Sequence, residues 1–181
     1  MSKNYEKGLK QIECKQFKNA LKSFTEAIEN GEKILESLLH RSSCHLHFKN
    51  FEEAAEDLSK AIAIEPTYEQ FYYNRAMTYV NLQEYDKALN DYSIAVTLNP
   101  NYKKAYYNKA SVHMKLDQHE KAVENFLEAG ARGHREALII CKHFNQRGGE
   151  INENKDKEEK PEEFTPEMAR QLLATLKKNK N

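Results

Sequence analysis

Residues 72–100 read YYNRAMTYVNLQEYDKALNDYSIAVTLNP. Tyr72, Ala76 and Tyr79 recur at helical spacing, Asn81 to Glu84 interrupts them, and Tyr85, Ala88, Leu89, Tyr92 and Ala95 begin a second apolar stripe. The pattern predicts two amphipathic helices joined by a short turn, an antiparallel hairpin closed by Pro100. The unit returns along the chain. Ala20, Ala54, Ala88 and Ala122 are evenly spaced, and Ala27, Ala61, Ala95 and Ala129 keep the same interval. Between these columns runs a bulky one, Phe24, Leu58, Tyr92 and Phe126, and before them another, Phe17, Phe51, Tyr85 and His119. Pro66 and Pro100 share one register. Alanine belongs where two helices cross closely, because a larger side chain would hold the backbones apart, and the neighbouring ring fills the space beside the contact. A hairpin of this size cannot bury its apolar face alone, so each copy must stack on the next. An all-α solenoid is expected.

These columns resemble the tetratricopeptide repeat. Its 34-residue signature is matched by Gly8, Phe17, Ala20, Phe24 and Ala27 in the first copy and by Leu38, Phe51, Ala54, Leu58, Ala61 and Pro66 in the second. The third copy matches at Tyr72, Ala76, Tyr79, Tyr85, Ala88, Tyr92, Ala95 and Pro100, the fourth at Tyr106, Ala110, Ala122, Phe126 and Ala129. The resemblance implies an all-α, right-handed superhelical solenoid of helix-turn-helix repeats at 1–34, 35–68, 69–102 and 103–133. It also implies a protein-binding role and says nothing of which partner.

The copies depart from the pattern at their ends. The first closes on Asn30–Gly31 and the fourth on Gly130–Ala131–Arg132–Gly133, where glycine is expected to terminate the helix through a left-handed conformation. Residues 134–145, with Ala137, Leu138, Cys141 and Phe144 on one face, read as a helix capping the fourth copy and complete a domain of residues 1–146. Residues 147–163, almost wholly Gly, Asn, Glu, Lys and Asp, read as a flexible charged linker. Residues 164–178 read as a short amphipathic helix, with Thr165 as cap, Pro166 at the first helical position, a stripe of Met168, Leu172, Leu173 and Leu176, and Lys177 and Lys178 at its end. That helix can seat on its own solenoid, bind a partner, touch an anionic membrane or remain unfolded.

The chain has 181 residues, with 28 Lys+Arg against 28 Asp+Glu. A balanced charge offers no global field for phosphates, which argues against nucleic acid as a partner. No apolar run reaches the ~20 residues of a membrane span, and Met1 to Lys10 lacks the apolar stretch of a signal sequence. A cytoplasmic protein is expected, in which the scattered Cys14, Cys44 and Cys141 act as small hydrophobes. His40 and His47 lie nearly two turns apart without a third convergent ligand, so no metal is expected. His119 is expected to fill space at a turn. No phosphate loop, HExxH or nucleophile elbow occurs. No catalysis and no cofactor are expected.

Stacked hairpins curve, and in the family this chain resembles the first helices line the hollow side. Carried over by register, the groove candidates are Tyr5 and Leu9, with Ile12; Leu39, His40, Ser43 and His47; Tyr73, Asn74, Met77 and Asn81; and Lys104, Tyr107, Asn108, Ser111, Met114 and Lys115. Tyrosines and methionines give adaptable contact area, and Asn74 and Asn108 could each bond a peptide backbone. Tyr73 and Tyr107 either meet that ligand or pack between copies. A subgroup of the family grips acidic carboxyl termini with a two-carboxylate clamp. Its positions fall on Tyr5, Leu9, His40, Gln70 and Asn74, or one copy later on Leu39, Ser43, Asn74, Lys104 and Asn108, so most of its cations are missing. The expected role is an adaptor or co-chaperone-like scaffold holding a segment of a partner protein. The alternatives are a self-associating protein, a homo-oligomer, whose C-terminal helix docks in its own or a neighbour's groove, and a chaperone for a secreted or membrane-associated client.

Overall fold

A computed structural model describes residues 2–146 and 165–178, and within them all regular structure is helical. The segment 147–163 and Phe164 lie outside the described residues, as does the side chain of Phe144. One compact unit ends at Leu98 and a second begins at Asn99. The first contains α1 (Lys3–Glu13), α2 (Phe17–Glu29), α3 (Ile34–His47), α4 (Phe51–Ile64), α5 (Glu69–Asn81) and α6 (Tyr85–Leu98). The second contains α7 (Lys103–Lys115), α8 (His119–Ala131), α9 (Arg135–Gln146) and α10 (Pro166–Lys178).

Helices pair in chain order, α1 with α2, α3 with α4, α5 with α6 and α7 with α8. Both alanine columns are fully buried, and so are Phe24, Leu58 and Tyr92 beside them. Gly8 shows how tight the crossing is: a Cβ there would stand 2.7 Å from Cε1 of Phe24. Phe24 is itself sealed, so its ring has nowhere to move. The same first-helix register holds Ala76 and Ala110, both also sealed.

The turn inside each hairpin is one device used four times. Lys15, Lys49, Gln83 and Asp117, which share one register of the repeat, all have left-handed backbones, with φ of 58°, 62°, 59° and 53°. The next residue's N–H reaches back across the turn: Glu84 N to Tyr79 O at 2.9 Å, and Gln16 N, Asn50 N and Gln118 N to the carbonyls of Gln11, His45 and His113. This paired closure satisfies carbonyls left open at a helix end. None of the four residues is glycine, so each hairpin carries mild backbone strain. Gln83→Gly is therefore expected to stabilise the chain by about 0.5 kcal/mol, the relief of strain exceeding the added freedom of the unfolded chain. A fall in the urea midpoint would contradict this.

Two expectations are corrected here. Gly31 and Gly133 do end their copies with φ of 70° and 77°, but Gly130 lies inside α8 as a packing residue: a Cβ there would meet Leu138 at 3.2 Å and Ala169 at 3.6 Å. His119 opens α8 exposed, because a polar ring at a helix start gains more from water than from the turn.

The C-terminal helix also needs correction as regards its own groove. It packs on α8 and at its margin on α9 of the same chain, through buried Ala169 and Leu173, with Met168, Leu172 and Leu176 half-buried. Its seat is the second helix of the fourth hairpin, whereas the groove candidates lie on first helices. The physical reason is the composition of α8. The register that holds Thr25, Ser59 and Ser93 in earlier copies holds Leu127 here, and the one that holds Ile28, Ile62 and Val96 holds Gly130. Leu127 supplies an apolar seat, and Gly130 leaves room for the Leu138 side chain with the Ala169 methyl packed beside it.

Candidate functional site

In unit 1 the first helices α3 and α5 are each fixed by an ion pair to a buried aspartate. Arg41 donates from Nε and Nη2 to both carboxylate oxygens of Asp57, and from Nη1 to Thr25 Oγ1 at 3.2 Å. Arg75 repeats the arrangement: Nε to Asp91 Oδ2 at 2.7 Å, Nη2 to Oδ1 at 2.9 Å, and Nη1 to Ser59 Oγ at 3.0 Å. Each arginine ties its own second helix to that of the copy before. Asp57 and Asp91 are 3% and 1% exposed, so the charges are compensated almost entirely by protein. Both guanidinium pKa values are raised, chiefly by the carboxylate hydrogen bond. Sequence reasoning misses this pair, although Arg41 and Arg75, like Asp57 and Asp91, stand one full period apart.

On that frame the groove candidates divide. Tyr5 is a core residue, 8% exposed, with its ring 6.0 Å from Phe24 and 5.8 Å from His40, and Lys33 Nζ lies 5.0 Å above it. This corrects its assignment to the groove. The small Gly8 in the same helix draws α1 against Phe24 and seals the ring in. Leu9 and Leu39 are half-buried against the cores. His40 lies flat on Phe24 at 5.5 Å, and burial pushes its pKa down against the pull of Glu36. His47 is stacked on Phe17 at 3.9 Å and is exposed. Ser43 turns its hydroxyl back to Leu39 O, and Asn81 donates its amide to Met77 O. Tyr73 rests 5.9 Å from Tyr92 and, like Asn74, keeps partial exposure beside exposed Met77. Tyr73 thus packs and presents a surface at once.

Unit 2 repeats that geometry with other chemistry. Tyr107 stands 5.4 Å from Phe126 and is stacked face to face on His134 at 4.4 Å and 8°. Burial, together with Lys103 and Lys104, pushes the His134 pKa down against Glu136. Asn108 and Ser111 are half-buried, Ser111 bonding back to Tyr107 O, while Lys104, Met114 and Lys115 are exposed. Lys109 replaces the arginine of earlier copies, and desolvation lowers its pKa. Its second-helix counterpart is Asn125, so the ion pair is not repeated.

Among the described residues no cluster of three or more His, Cys, Asp or Glu is placed to hold a metal, and no helix is long and apolar enough to cross a membrane.

Models of the tetratricopeptide repeat match residues 15–69, 70–102 and 103–129. No curated protein sequence matches the chain. Among solved structures, MamA protein is similar over 81% of each chain at 21% identity with a TM-score of 0.71. YrrB, described as a repeat protein of this family with an unusual peptide-binding site, is similar over 76% of this chain and 72% of its own at 19% identity, TM-score 0.69. The first repeat domain of Spaghetti (RPAP3), solved with an HSP90 peptide, is similar over 63% of this chain and 90% of its own at 23% identity, TM-score 0.59. The columns, the hairpins, the family models and these likenesses agree on one fold, and the chain belongs to the tetratricopeptide repeat family.

Proposed function

We propose that this chain is a protein-interaction module, an adaptor or co-chaperone-like scaffold, whose first-helix faces hold a segment of a partner protein. The observation that carries the reading is the state of Tyr73 and Tyr107. Each is braced on a second-helix ring yet left partly exposed, next to exposed Met77 in one unit and in the same helix as exposed Met114 in the other. A braced aromatic loses little freedom on binding, and such anchors dominate interface energies. The peptide in the Spaghetti structure and the peptide-binding site named for YrrB support the reading by likeness. A cytoplasmic setting and the absence of catalysis go with it. The alternative in which α10 fills a groove draws no support from a helix seated on α8.

The test is capture with wild type and with Tyr73→Ala/Tyr107→Ala in parallel, followed by titration of each captured partner. Loss of two anchors at about 1–2 kcal/mol each predicts at least tenfold weaker binding with unchanged helicity by circular dichroism. Equal affinity of the two proteins would refute the groove reading.

A further inference from the structure

The first-helix face of unit 2 continues beyond α7. Glu69 and Lys103, which open α5 and α7, stand one full period apart, whereas Arg135 opens α9 two positions short of the next. The end of α8 and the connection after it are together two residues short, which moves the register of α9 by two. Ala137 then takes the place of Ala105, and both are fully buried. Leu138 N bonds to His134 O just as Tyr106 N bonds to Tyr102 O. In this register Ile139 and Ile140 occupy the positions of Tyr107 and Asn108, and His143 that of Ser111.

Ile139 is 52% exposed and Ile140 36%. A terminal helix that only capped the stack would present polar residues there. The surrounding charge has one dominant sign. α7 carries Lys103, Lys104, Lys109 and Lys115 with no Asp or Glu, and its first turn holds two lysines where the helix dipole favours acids. α9 adds Arg135 and Lys142 against Glu136. An exposed aliphatic pair in a positive field is a surface complementary to carboxylates flanking apolar side chains.

We propose that the α7–α9 face of unit 2 binds an acidic amphipathic segment of a partner protein, its aliphatic side chains on Ile139 and Ile140 and its carboxylates toward Lys104 and Arg135. The proposal rests on the groove reading above and narrows it to a charge class and to a helix that the sequence presents only as a cap.

The probe is a fluorescent peptide of repeating Glu-Leu-Leu-Glu units, with the same peptide carrying lysine for glutamate as its control, titrated into the full chain. The glutamate peptide should bind saturably, the lysine peptide at least tenfold more weakly, and added salt should weaken the former. Ile139→Ser/Ile140→Ser changes only exposed side chains and should weaken the glutamate peptide at least tenfold without loss of helicity. Equal binding of the two peptides overturns the proposal. Binding weakened by Tyr107→Ala but not by the double serine variant overturns it while leaving the groove reading in place. A dimer of the parent chain in sedimentation that the double serine variant abolishes would assign the face to a second copy and likewise overturn it.

Discussion

Asp91→Ala should lower the stability of the chain by about 3 kcal/mol, more than any single truncation of an exposed residue. The aspartate is 1% exposed and receives two of the three hydrogen bonds that Arg75 makes. Without it the guanidinium stays enclosed, with the rings of Tyr72 and Tyr79 each 5.8 Å away and only Ser59 as a neutral acceptor. The cost is then mainly that of an uncompensated charge, with little contribution from the lost contact itself. That distinction is measurable. Arg75→Met/Asp91→Leu removes both charges and should recover most of the loss, because apolar pairs of similar volume commonly match a buried ion pair. Urea unfolding of the two single variants and the double variant supplies the cycle. A double variant less stable than Asp91→Ala would mean that the pair contributes bonding energy beyond its own desolvation.

Column by column, the fold was legible in the sequence, because a small residue at each crossing and a ring beside it are demands that every copy makes alike. Ala20, Ala54, Ala88 and Ala122 could be read without coordinates since only one geometry needs them all. Lys15, Lys49, Gln83 and Asp117 could not. Their shared left-handed backbone is imposed by the closure of the turn and leaves no trace in residue type, glycine being absent. Gly130 shows the opposite case: a glycine near a helix end suggests a stop, but here it makes room for the Leu138 side chain of α9, a packing demand of one copy alone.

The candidate surface was legible in part. The register placed Tyr73, Met77, Tyr107 and Met114 on faces that keep exposure, while Tyr5, at the same register as Tyr73, sank into the core because Gly8 lets α1 come closer to Phe24. In sequence Arg41 and Arg75 look like ordinary surface charges, although a repeated arginine sixteen residues before a repeated aspartate is a pairing that two helices of a hairpin can make. Ile139 and Ile140 were hidden because the end of α8 and the connection after it are together two residues short, which displaced α9 from the strict period. A period finds what every copy shares; it conceals what one copy changes.

Leu173→Asp should release α10 while leaving α3 to α6 folded. Leu173 is 7% exposed and shares a cluster with Leu127 and Ala169. Burying an aspartate there without a partner would cost more than the ~1.5–3 kcal/mol that a buried leucine side chain contributes. A helix of 13 residues is marginal once undocked, so release should melt it and expose the apolar seat on α8. Amide exchange in residues 166–178 should accelerate at least a hundredfold, with protection in α5 and α6 unchanged. A cooperative loss of protection throughout the chain would show instead that α10 is part of one folding unit with the rest. The contact also has an acid-sensitive element. Lys177 Nζ donates to Glu128 Oε1 at 2.8 Å, and Arg132 holds the other carboxylate oxygen, at the edge of a cleft of about 580 Å³ that Leu173 and Arg170 also line. Burial works against the charge of Glu128, but the bonds from Lys177 and Arg132 outweigh it and hold the carboxyl below its ordinary 4.5. A depressed carboxyl pKa stabilises the folded form fully above the unfolded value and ceases to do so as pH falls through the folded one. Protection of α10 in the parent chain should therefore decline below about pH 4.5. In Glu128→Gln the decline over that window should be much shallower, and an equally steep decline would assign the acid sensitivity to another group.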